Sequence, residues 1–148
     1  MAVLVILVVS LLLFRLAGAL GVEVFASWAA ASRDALAVML FFTAGAHFTG
    51  IKEDLVRMIP KWVPKPRLTV YFTGVCEFLG AVGLLLPPFR RAAGIALIVF
   101  FIAVFPANVH AARSGVTLRG KPPTTLWLRA PMQLLFILLT WWSALVAN

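Results

Sequence analysis

Eight residues in this chain carry polar chemistry within otherwise apolar runs: Thr43, His47, Thr73, Glu77, Asn108, His110, Arg129 and Gln133. A carboxylate or guanidinium in hydrocarbon is costly, so each such group is a candidate functional residue with a partner to be named. Their types allow several chemistries. Glu77 with a histidine could relay protons. His47, His110 and Glu77 make up a two-histidine, one-carboxylate ligand set. His47 and His110 could face each other across a haem. Against each stands a plainer reading, in which interfacial histidines serve as hydrogen-bond partners and no cofactor is held. No phosphate-binding loop, nucleophile elbow or dinucleotide fingerprint is present, so no catalytic residue is assigned.

The elements that must position these groups follow from composition. The 148 residues are 63% hydrophobic and only 12% charged, far from the balance of a soluble domain. That excludes intrinsic disorder and points to an all-α integral membrane helical bundle, a single transmembrane domain over 1–148. Five runs approach the roughly 20 apolar residues a spanning helix needs. They cover 2–20, 29–49, 68–86, the stretch from after Arg90–Arg91 to 112, and 125–147. The second has too short an uncharged stretch to span alone, so it must recruit residues 28–31 or lie deep among its neighbours. Ala17-Gly18-Ala19 resembles a signal-peptide cleavage site, but no basic residue precedes the apolar run and Arg15 interrupts it. The first helix is therefore expected to be retained.

Charge placement gives an orientation. Lys52, Arg57, Lys61, Lys65 and Arg67 follow the second span, and Arg113, Arg119 and Lys121 follow the fourth, on the same side. Only Arg33, Arg90 and Arg91 lie opposite. The positive-inside rule puts the N-terminus in the cytoplasm and the C-terminus outside, in a multi-pass cell-membrane protein. This accounts for most of the net charge of +8 without nucleic acid. Residues 51–64 place Leu55, Met58, Ile59 and Trp62 at helical spacing among charges, which predicts a short interfacial amphipathic helix facing anionic headgroups.

With this topology, His47, Asn108, His110 and Arg129 fall near the cytoplasmic ends of four helices, Gln133 one turn deeper and Glu77 near the midplane. A shared polar pocket opening to the cytoplasm is the expectation, with Glu77 and Arg129 as its ion pair. Pro106 removes a backbone donor and frees a carbonyl that Asn108 could reach. Arg15 would snorkel to the outer interface or pair with Asp34. Gly74, Gly80, Gly83 and Gly94 would allow close helix packing. Cys76 is the single cysteine, so no internal disulfide or thiolate metal site can form, and it reads as a small buried hydrophobe.

Several segments together resemble the DoxX family of small membrane proteins: Phe42-Thr43-Ala44-Gly45-Ala46-His47-Phe48, Val56-Arg57-Met58-Ile59-Pro60, Thr73-Gly74-Val75-Cys76-Glu77, Gly80-Ala81-Val82-Gly83-Leu84 and Phe105-Pro106-Ala107-Asn108. The resemblance covers residues 33–142 and implies a four-helix core, to which the first helix is an addition. It also implies a leaning towards quinone-linked redox complexes, without catalytic residues to carry over. The resulting expectation is a redox-associated membrane subunit holding a quinone-like or lipidic ligand on His47, Glu77, Asn108, Arg129 and Gln133. Its partners would be the bilayer and another membrane subunit or redox protein. The alternatives are a membrane-protein assembly or scaffold factor and a small proton-coupled transporter.

Overall fold

A computed structural model describes residues 2–117, 120 and 124–147. Arg119 and Lys121, counted above for orientation, lie outside the described residues. Six α-helices follow one another: α1 (Ala2–Ala19), α2 (Trp28–Ala46), α3 (Lys52–Met58), α4 (Pro66–Leu85), α5 (Arg90–Ser114) and α6 (Leu126–Trp141). A π-turn at Trp142–Val146 extends α6, and short 3₁₀ turns precede α2 and α5. The described residues contain no strand. Five of these helical segments are long and apolar enough to cross a membrane, as expected of a multi-pass membrane protein.

The second span is the centre of the bundle. It begins at Trp28, recruiting the residues its length required, and it is also the most deeply buried span. Ala29, Ala30, Ala31, Ala35 and Ala37 are all buried, and small side chains let α1, α4 and α6 approach its backbone. Leu36, Met39 and Leu40 meet Leu7, Leu84, Leu97, Phe101 and Phe136 in one core. Successive spans pack as neighbours: α1 on α2, α2 on α4, α4 on α5 and α5 on α6. Glycines set the approach. A Cβ on Gly83 would stand 2.6 Å from the Ala93 Cβ, and one on Gly94 2.9 Å from the Ala144 Cβ.

α3 is shorter than the interfacial helix that the sequence pattern suggests. It ends at Met58, not near residue 64. The cause is Pro60, whose ring forces the preceding Ile59 into extended backbone at φ −70° and ψ 129°. Glu53 and Asp54 open α3 and Arg57 closes it, matching the helix dipole. Both Glu53 oxygens lie 3.0 Å from Arg67, and Lys52 reaches the Tyr71 hydroxyl at 3.2 Å. These contacts lash α3 to the first turns of α4.

The α1–α2 corner removes one of the two alternatives for Arg15, which does not pair with Asp34. Arg15 donates to the carbonyls of Phe25 and Ala26 at 2.8 and 2.6 Å and lies over the Trp28 ring. The 3₁₀ turn at Glu23–Phe25 presents those carbonyls directly to the end of α1. Asp34 is beside Arg33, at 3.7 Å, and Arg33 is buried.

Candidate functional site

The site grows from the C-terminal end of α2. His47 ends that helix and lies against α4 where Gly74 leaves room, since a Cβ at residue 74 would be 2.6 Å from the His47 Cβ. The missing side chain also uncovers the carbonyl of Val70, one turn earlier. His47 Nδ1 sits 2.7 Å from that oxygen, and the Thr73 hydroxyl donates to the same oxygen at 2.9 Å. Thr73 Oγ1 is also 3.3 Å from Nδ1.

Glu77 completes the group. Helical side chains lean towards the N-terminus of their helix, so Glu77 reaches back along α4 towards the level of Thr73. Its Oε2 lies 3.6 Å from His47 Nε2, close enough for an ion pair and beyond hydrogen-bond reach. That oxygen is buried and has no hydrogen-bond partner. Both side chains are mostly covered, at 12% and 14% exposure. The depth count along the helices puts Glu77 near the midplane and His47 near the end of its span. The backward lean and the overhang of α4 beyond the end of α2 bring the two together.

The predicted Glu77–Arg129 pair does not form. Arg129 donates through Nη1 to Asn108 Oδ1 and through Nε to the Thr124 carbonyl, both at 2.9 Å. The reason is helix adjacency: α4 lies on α2 and α5, whereas α6 lies on α5. Arg129 therefore opens α6 beside the end of α5, where Asn108 is. Gln133, one turn deeper, donates to the carbonyl of Phe101. Asn108 thus accepts from Arg129, and it is Gln133 that serves the backbone in the turn before Pro106. Ile102, Phe105, Ala130, Gln133, Leu134 and Ile137 line a shallow apolar recess of about 220 Å³ beside it.

The eight sequence candidates thus divide. His47, Thr73 and Glu77 gather on α2 and α4, with Thr73 and His47 sharing the Val70 carbonyl and Glu77 facing the His47 ring; Asn108 and Arg129 bond to each other between α5 and α6, with Gln133 one turn deeper on Phe101. Thr43 returns its hydroxyl to the Leu40 carbonyl at 3.1 Å, one turn before His47. His110 meets Ser114 of its own helix at 3.4 Å and joins neither group. Among the described residues no three metal-ligating side chains cluster. Two participants escaped the sequence reading as site components: the Val70 carbonyl, which no side-chain pattern reveals, and Gly74, which was read as packing alone. A glycine one residue after Thr73 and three before Glu77 was the available signal.

The profile of a family described as a domain of unknown function, DUF8561, matches residues 36–144. The chain belongs to the DUF8561 family. The matched DUF8561 region runs from within α2 to the C-terminal π-turn, so it contains both polar groups and leaves out α1. No curated protein and no solved structure matches the chain.

Proposed function

We propose that this DUF8561 protein is a redox-associated subunit of the DoxX kind. It holds the polar head of a quinone-like or lipidic ligand at His47, Thr73 and Glu77, near the cytoplasmic leaflet. The N-terminus is cytoplasmic and the C-terminus outside, which puts α3 and the basic connections on the cytoplasmic side. One observation carries this reading: the buried Glu77 oxygen, which faces the His47 ring and has no hydrogen-bond donor. A buried polar atom without a partner costs about 1–3 kcal/mol, more when charged, and such exceptions concentrate at functional sites. A protonated Nε2 beside a carboxylate offers a donor and an acceptor side by side. A head group with a carbonyl and a hydroxyl can engage both, while its apolar tail lies along the exposed helix faces.

The test is thermal unfolding of the purified protein in nanodiscs with a short-chain benzoquinone and its quinol. Ligand should raise the melting temperature of the wild type and leave Glu77→Gln unmoved, because the amide keeps the shape but not the charge. Equal shifts in both proteins, or none in either, would remove the ligand-binding reading. In that event a stoichiometric membrane partner recovered in mild detergent would favour the assembly factor instead.

A further inference from the structure

The His47 ring has two nitrogens, and its surroundings decide what one of them carries. A carbonyl can only accept, so the Nδ1 that stands 2.7 Å from Val70 O must bear a hydrogen. Thr73 gives its own hydrogen to the same carbonyl and turns a lone pair to Nδ1. With Nδ1 fixed as a donor, Nε2 is the atom left to face Glu77 Oε2. An unprotonated ring opposite a carboxylate would set two lone pairs against each other where water screens little. An imidazolium beside a protonated carboxyl would leave a buried positive charge uncompensated. A single proton held by the two groups avoids both, as an imidazolium–carboxylate pair or as a neutral imidazole beside a carboxylic acid.

We propose that His47 and Glu77 form a one-proton exchange site, binding a single hydrogen ion that moves between Nε2 and Oε2 when the two atoms close from 3.6 Å to hydrogen-bond distance. The transfer breaks one N–H bond and forms one O–H bond. The bonding pair stays on Nε2 as its lone pair, and the net charge of the two groups does not change. The same proton is available to an oxygen of the bound head group, a role that rests on the ligand reading above. Most other titratable or charged groups on the packed elements have partners of their own. On α2 Arg33 pairs with Asp34, and at the start of α5 Arg90 reaches the Leu84 carbonyl, while Arg91 and Arg113 lie at the two ends of α5. On α3, Lys52 holds Tyr71, Glu53 holds Arg67 and Asp54 holds Arg57. On α5 His110 meets Ser114, on α6 Arg129 holds Asn108, and on α1 Arg15 holds Phe25 and Ala26. The Cys76 thiol is next to Glu77 in α4 and is only partly buried.

The experiment is a pH titration of the ligand-free full chain in nanodiscs. It follows the ring nitrogens of His47 by ¹⁵N NMR, with His110 silenced as His110→Gln, and the Glu77 carboxyl by difference infrared spectroscopy. Nδ1 should stay protonated throughout, and the Nε2 and carboxyl signals should change together at one midpoint. In Glu77→Gln the carboxyl signal should vanish and the ring midpoint should move. Separate midpoints in the wild type, an Nδ1 that loses its hydrogen, or a ring titration unaltered by Glu77→Gln would overturn the proposal. The wild-type coincidence decides the matter even if the variant fails to fold. Because no ligand is added, failure of quinone binding leaves this result standing, and separate midpoints leave quinone binding to the thermal test.

Discussion

At the scale of single residues, the two polar groups differ in what holds them. Arg129 donates two hydrogen bonds, to Asn108 and Thr124, and so behaves as a structural clamp at the start of α6 against α5. Arg129→Ala leaves the Asn108 oxygen without its donor and should cost about 1–3 kcal/mol. His110, tied among the described residues to Ser114 in its own helix, should change stability by less than about 0.5 kcal/mol as His110→Gln. Thermal unfolding in one detergent compares the two, and equal losses would contradict this division. The residue types were legible in the sequence; their pairing was not. Glu77 and Arg129 are the natural match by charge, but charge does not say which helix lies beside which. Nor does a sequence display the Val70 carbonyl that fixes the His47 ring.

At the scale of elements, close packing by glycine was readable and its partners were not. Gly83 faces the Ala93 Cβ, which has no flexible end to yield, whereas Gly45 meets nothing within 4 Å. Gly83→Val should therefore destabilise by about 1–3 kcal/mol through overpacking. Gly45→Ala should be neutral or stabilising by up to about 1 kcal/mol, because it only improves helix propensity. Equal melting temperatures for the two variants would disprove the close contact of α4 with α5. The spans were legible because runs of apolar residues bounded by Pro, Gly and charge give their length directly. α3 was overextended because the apolar spacing continues through Ile59 and Trp62 after Pro60 has already stopped the helix. Periodicity reports a face, but proline decides where the backbone can continue it.

At the scale of the whole molecule, α2 is the buried centre, and α1 lies outside the matched DUF8561 region with much of its apolar surface exposed. Orientation is a property of this scale, set by summed charge. In a Cys76→Ser background, Lys61→Cys should react with an impermeant maleimide only from the cytoplasmic side, and Arg91→Cys only from the opposite side. The reverse pattern would invert the topology and place the His47 site in the outer leaflet. The central claim, that the His47–Thr73–Glu77 group holds a ligand head, is tested most directly by photo-crosslinking. A quinone carrying a photoreactive group on its ring would be irradiated with the protein in nanodiscs, and the modified peptides mapped by mass spectrometry. Labelling concentrated at the end of α2 and the first half of α4, and lost in Glu77→Gln, is the predicted result. Labelling spread evenly over the exposed faces of the helices, or unchanged in the variant, would contradict it.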